Sequence, residues 1–274
     1  MTVLTSPEEL LARPADVLLD VRWALGDDTG RERYLAGHLP GAVYVDLPTE
    51  LSGPPSAAGG RHPLPSVQRL QSAARRWGVT TGSRVVAYDA TGGLAAARAW
   101  WLLRWGGFPG VTLLDGGLAA WTAAGGDLET GDVVPAPGDV VLTGGAMPVL
   151  DADAAAALPG SGGVLLDARA AERFRGEVEP VDPRAGHVPG AVSAPTTATL
   201  GPDGRMLPAA VLGEHFAGLG VSPGTTVGVY CGSGVTAAHE VAALALAGVD
   251  AALWPGSWSQ WSADPDRPVA TGAS

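Results

Sequence analysis

The chain has a single cysteine, Cys231, in 274 residues. A lone cysteine excludes an intrachain disulfide and makes a reducing cytoplasm the expected setting. The five histidines are scattered and show no metal-ligand spacing, so neither a metal nor another bound cofactor is expected. No stretch approaches the ~20 apolar residues that span a bilayer. The longest apolar-rich run, residues 241–253 (VAALALAGVDAAL), is broken by Gly248 and Asp250. The first twenty residues lack a basic segment followed by an apolar run and a cleavage site, so a signal peptide is not expected. Positive charge is also scarce: 17 Lys and Arg stand against 28 Asp and Glu, a formal net charge of −11. Such a surface repels nucleic-acid backbones and anionic membranes, and neither is expected as a partner. An anionic substrate would need donors and cations gathered locally. Apolar residues, by contrast, make up 46% of the chain, ample for one large domain or two modest ones.

The chain repeats itself. Residues 17–22 (VLLDVR) return at 164–169 (VLLDAR), and 36–43 (AGHLPGAV) return at 185–192 (AGHVPGAV). Residues 85–89 (VVAYD) line up with 227–231 (VGVYC), and 116–121 (GGLAAW) with 256–261 (GSWSQW). Four blocks in the same order, at offsets of about 140–149 residues, imply two copies of one fold. The expected division is 1–130 and 148–274, joined by a Gly- and Pro-rich linker at 131–147.

Within each copy, short β-branched runs alternate with helical stretches. VLLDV, AVYV, RVVAY and VTLLD, then GVLLDA, TVGVY and DAALW, read as buried parallel strands. Residues 66–77 predict a helix with a serine N-cap and apolar positions at helical spacing; 95–105 and 237–247 predict helices directly after a strand and tight turn. The fold class is therefore α/β, with a mainly parallel sheet flanked by helices in each copy. Ligands in such sheets sit at the carboxyl ends of the strands. That singles out the loops that begin at Asp89 and Cys231.

The second loop reads Cys231-Gly232-Ser233-Gly234-Val235-Thr236. Its glycines let successive backbone N–H groups converge into an anion-binding nest, and the following helix adds its positive end. Such surroundings would favour a nucleophilic thiolate and hold an anionic substrate or leaving group at Gly232, Gly234, Val235 and Thr236. A cysteine at a strand end is otherwise a small buried hydrophobe, and Ser233 is otherwise a helix cap.

This loop resembles that of the 3-mercaptopyruvate sulfurtransferases within the tandem-domain rhodanese family; the thiosulfate sulfurtransferases of that family carry Cys-Arg-Lys-Gly-Val-Thr instead. The resemblance covers nearly the whole chain. It implies two rhodanese-like domains, an inactive N-terminal one with Asp89 at the cysteine position and a catalytic C-terminal one. It also implies a Ser–His–Asp group of Ser233, His62 and Asp46, with the active site at the interface between the copies, and an arginine, Arg173, that holds the substrate's anionic group. The family's second arginine falls at Val181 in this sequence, and Arg184 is the candidate to replace it. Arg22 and Arg169, like His38 and His187, occur in both copies and are expected to be structural. The nine tryptophans are expected in the core, with Trp254, Trp258 or Trp261 a candidate to line the pocket.

Three activities fit. In the first, Cys231 takes sulfur from 3-mercaptopyruvate as a persulfide and passes it to a thiol acceptor such as thioredoxin, or to cyanide. In the second the donor is thiosulfate, which a loop without Arg or Lys disfavours. The third is a persulfide carrier or interaction module. A Cys-x5-Arg phosphatase is excluded by Ala237.

Overall fold

The computed structural model describes residues 2–273. Two parallel sheets form, one in each half of the chain. The first contains β1 (Leu4–Thr5), β2 (Val17–Asp20), β3 (Val43–Tyr44), β4 (Val85–Tyr88) and β5 (Val111–Leu114), in the order β1-β5-β4-β2-β3. The second contains β6 (Val164–Asp167), β7 (Val192–Ser193), β8 (Val227–Tyr230) and β9 (Ala251–Leu253), in the order β7-β6-β8-β9. The repeat extends to register: Asp20 pairs with Tyr88 as Asp167 pairs with Tyr230. The counterpart of β1 in the second sheet is reduced to a parallel bridge from Val149 to Leu253. β1 and β7 had no signal of their own in the sequence; two residues are too few to show a period.

The expected helices form with bounds moved by a residue or so, as Val67–Arg76, Ala96–Trp105 and Thr236–Leu246. Ser66 caps the first, its hydroxyl accepting the Arg69 N–H at 3.2 Å. The other two are buried almost all round, and each starts directly behind one of the two singled-out loops. Their apolar faces explain why they carry few polar residues. Trp254, Trp258 and Trp261 pack with Leu165, Phe174, Val188 and Tyr230 in the core of the second half.

Each repeated Asp-x-Arg block is a buried ion pair. Arg22 Nη2 lies 2.8 Å from Asp20 Oδ2 and also donates to the Gly37 carbonyl; Arg169 Nη2 lies 2.6 Å from Asp167 Oδ2 and donates to the Gly186 carbonyl. In both copies the pair ties the end of a central strand to the His-x-Pro-Gly turn. His38 and His187 stack on Tyr34 and Phe174 and hydrogen-bond through Nδ1 to the carbonyls of those same residues.

The two compact units are each discontinuous in the sequence. One comprises Met1–Gly53, Pro65–Met147 and Gly201–Met206; the other comprises Pro54–Leu64, Pro148–Leu200 and Leu207–Ser274. The segment 54–64, which carries His62, therefore packs with the second half. The segment expected as a linker packs on the first unit: Val140 and Leu142 are buried, and Arg75 Nε donates to the Val140 carbonyl at 2.8 Å. Among the described residues, no helix is long and apolar enough to cross a membrane.

Candidate active site

β8 ends at Tyr230, and Cys231 follows as the first residue of the loop. Cys231 is 2% exposed. The Gly234 N–H donates to Cys231 Sγ at 3.1 Å, so a backbone donor faces the sulfur as the glycine spacing predicts. Gly234 has φ +76°, and a Cβ there would lie 2.7 Å from the Pro255 carbonyl oxygen; only glycine fits the turn. Gly232, Ser233 and Val235 are buried with it, and Thr236 is half-buried.

The opposite wall is residues 256–261, the end block of the repeat. Ser257 Oγ accepts the Cys231 N–H at 3.1 Å and donates to the Trp254 carbonyl at 2.8 Å. Ser257 has φ +53°, the one positive φ outside glycine among the described residues. Its counterpart in the first copy is Gly117, with φ +58°. The second copy holds a side chain in a conformation costing about 1–3 kcal/mol, and that side chain anchors the Cys231 backbone.

His62 comes from the 54–64 segment, with Nδ1 2.8 Å from Ser233 Oγ. Three contacts to the 256–261 block place it. Ser259 Oγ accepts the Arg61 N–H at 3.0 Å, Gln260 Nε2 donates to the Ala58 carbonyl at 2.6 Å, and Gly60 lies flat against Gly256. Cys231, Ser233 and His62 thus belong to one compact unit. Asp46 belongs to the other, at the start of the helix Leu47–Glu50, where its N–H donates to Glu50 Oε2 at 3.1 Å and its carboxylate makes no cap bond.

The expected cation set is rearranged. Arg173 approaches the loop: its Nη1 lies 3.6 Å from the position a Cβ on Gly232 would take. Arg184 is engaged elsewhere in this structure. Its guanidinium donates to the carbonyls of Trp261, Ser262, Asp264 and Arg267, and so fastens the chain after the helix Ser257–Ala263. Arg61 Nη2 lies 3.1 Å from that same Gly232 position. Arg61, Asp182, Ser257 and Ser259 were not singled out in the sequence. The available signals were the position of Arg61 beside His62 and the replacement of Gly117 by Ser257 in an otherwise aligned block.

The first copy shows what such a loop binds. The Asp89 carboxylate accepts four backbone N–H groups, from Thr91 and Gly93 on Oδ1 at 2.7 and 2.8 Å and from Ala95 and Ala96 on Oδ2 at 2.8 and 2.9 Å. The protein's own Asp89 side chain fills this nest, at the place that Cys231 holds in the second copy. Among the described residues no cluster of His, Cys, Asp and Glu is arranged to hold a metal ion.

The rhodanese-like domain family model matches residues 6–124 and 151–264. A Mycobacterium tuberculosis protein named "Putative thiosulfate sulfurtransferase SseB" is 51% identical over 263 residues, covering 94% of this chain and 91% of its own. A Pseudomonas aeruginosa protein named "Probable 3-mercaptopyruvate sulfurtransferase" is 49% identical over 278 residues, covering 98% of each. The crystal structure of SseA from Escherichia coli, a 3-mercaptopyruvate sulfurtransferase by its description, superimposes with a TM-score of 0.80 at 34% identity, over 94% of this chain and 100% of that one. With two copies matched, one cysteine at the loop of the second and a resident aspartate at the loop of the first, the chain belongs to the rhodanese family of sulfurtransferases.

Proposed function

We propose that the chain takes sulfur from 3-mercaptopyruvate onto Cys231 and delivers it to a thiol acceptor, a small protein dithiol such as thioredoxin, or to cyanide. The observation that carries this reading is the His62–Ser233 hydrogen bond beside Cys231. The Cys231 thiolate attacks the donor's sulfur, forming an S–S bond as the C–S bond breaks, and the electron pair departs on carbon as pyruvate enolate. That carbon must be protonated for pyruvate to leave. A serine hydroxyl backed by an imidazole is a means of delivering a proton there. The Gly234 N–H and its neighbours stabilise the charge on sulfur before and after transfer. An acceptor thiolate then attacks the outer sulfur and returns Cys231 as thiolate; cyanide does the same and leaves as thiocyanate.

Thiosulfate is the second reading, and one specific observation favours it. The loop itself holds no cation, but the structure brings Arg61 and Arg173 over Gly232 from elsewhere, so the absence of Arg and Lys from the loop argues less against a dianion than it does in the sequence. The deciding experiment is kcat/KM for 3-mercaptopyruvate and thiosulfate on one preparation with cyanide as common acceptor, beside Cys231→Ser. A mercaptopyruvate preference with an inactive, folded Cys231→Ser variant supports the proposal. A thiosulfate preference reverses the choice of donor, and turnover by Cys231→Ser ends the nucleophile assignment.

A further inference from the structure

Three arginines surround a cavity at the end of the first sheet opposite the Asp89 loop. The chain enters β4 through Arg84 and β5 through Pro109-Gly110, and a cavity of about 840 Å³ opens beside these amino ends. Arg13, at the end of the helix Pro7–Ala12, and Arg104, in the last turn of Ala96–Trp105, line it with Arg84. The whole lining belongs to one compact unit.

The chain carries 28 acidic residues against 17 basic ones, and most of its arginines sit beside a carboxylate. Among the described residues, Arg13, Arg84 and Arg104 are paired with none. Arg84 Nη1 donates to the Arg13 carbonyl, and Arg104 Nη1 to the Pro109 carbonyl at 3.2 Å; no other hydrogen bond among the described residues holds the three guanidinium groups. Glu9 on the cavity wall and Asp16 beside Arg84 are each tied to a backbone N–H, of Ser6 at 2.9 Å and of Arg84 at 2.7 Å. Burial pulls Arg104 below its usual range, and no carboxylate opposes the fall.

The second copy is an internal control. The repeat places Gly160, Thr226 and Leu246 where Arg13, Arg84 and Arg104 stand. The strands there keep the same register, Val227 pairing with Ala251 as Val85 pairs with Val111. A cation is favoured at a helix's carboxyl end, yet the equivalent helices Ala152–Ala157 and Thr236–Leu246 end without one. The fold therefore stands without these arginines. Three cations with no internal partner, gathered on an acidic chain, are arranged for an external anion.

We propose that this cavity binds a small molecule through a polyphosphate group, independently of sulfur transfer at Cys231. Each guanidinium offers a planar pair of donors to phosphate oxygens, and three of them match linked phosphates better than a single charge. The hydroxyls of Thr5 and Thr112, 2.7 Å apart, add hydrogen-bonding groups to the wall, and Leu4 and Pro109 add an apolar side. The volume falls within the roughly 300–1,000 Å³ of sites that take drug-sized ligands.

Calorimetric titration of the full chain with inorganic tripolyphosphate, ADP and inorganic phosphate tests this. Arg84→Thr and Arg104→Leu install residues that the second copy already carries at these places, so both variants are expected to fold; an unchanged Tm and wild-type sulfur transfer check it. Tripolyphosphate is expected to bind the wild type about 10-fold or more tightly than phosphate does, and each variant to lose about 10-fold or more, as loss of a charged hydrogen bond does. Tighter binding of ADP than of tripolyphosphate identifies a nucleotide as the source of the group, and the reverse order an inorganic polyphosphate. The proposal is overturned if neither probe binds, if phosphate binds as tightly as tripolyphosphate, or if the two substitutions leave the affinities unmoved.

Discussion

His62 Nδ1 and Ser233 Oγ lie 2.8 Å apart, although 171 positions separate them in the chain. If that contact serves proton delivery to a departing carbon, His62→Ala slows mercaptopyruvate turnover by about 100-fold or more. Thiosulfate turnover falls less, because sulfite leaves without a proton on carbon. Ser233→Ala behaves alike, and the double variant loses little beyond either single one. Steady-state kinetics with both donors check this; equal losses on the two would mean that His62 only shapes the site.

Gly60 holds His62 and Arg61 in place. It has φ +80°, and a Cβ on it would lie 2.5 Å from the Gly256 carbonyl oxygen and 2.7 Å from Ser259 Oγ. Gly60→Ala forces the segment off the 256–261 block, at a cost of roughly 1–3 kcal/mol. Activity with either donor is expected to drop further than the small change in urea midpoint would suggest. Wild-type kinetics in this variant would show that the segment tolerates displacement.

The Asp89 carboxylate has a structural task, satisfying four N–H groups at 1% exposure. Asp89→Ala leaves those donors without an acceptor and destabilises the protein by about 2–4 kcal/mol. Sulfur transfer per folded molecule stays at the wild-type level. Chemical denaturation and activity on one sample separate the two effects. A fall in specific activity at full folding would give the first copy a part in the reaction.

Glu240 makes stability depend on pH. It occupies the position in its helix that Arg98 holds in the first copy, nine residues past the loop's first residue, and both are wholly buried. Burial pushes Glu240 up to about 8 from its ordinary 4.5, with the Thr196 hydroxyl only partly opposing. The folded state therefore holds a proton that the unfolded state releases between those values, and stability falls as pH rises through that window. The loss is at most about 4 kcal/mol. Glu240→Gln removes it, so the Tm gap between variant and wild type should widen from pH 5 to pH 8. A constant gap would mean that Glu240 is ionised in the folded protein throughout.

The parts legible in the sequence were those written locally or periodically. The repeat, the strand–loop–helix around Cys231 and its filled counterpart at Asp89 all follow from short blocks whose order and spacing survive in one dimension, and the shared register of the two sheets follows from the same blocks. The Cys231-Gly232-Ser233-Gly234-Val235-Thr236 loop carried the family resemblance. Side-chain direction across long separations was not written there. Arg184 lies near the family's arginine in sequence, but the carbonyls left open after the helix Ser257–Ala263 capture it. Arg61 lies 171 residues from Gly232, and the packing of 54–64 on Gly256, Ser259 and Gln260 is what brings its guanidinium there. Spacing along a chain specifies which backbone groups can meet within one element. Which of several arginines reaches a loop depends on where other elements leave unpaired acceptors, and that competition exists only in the folded molecule.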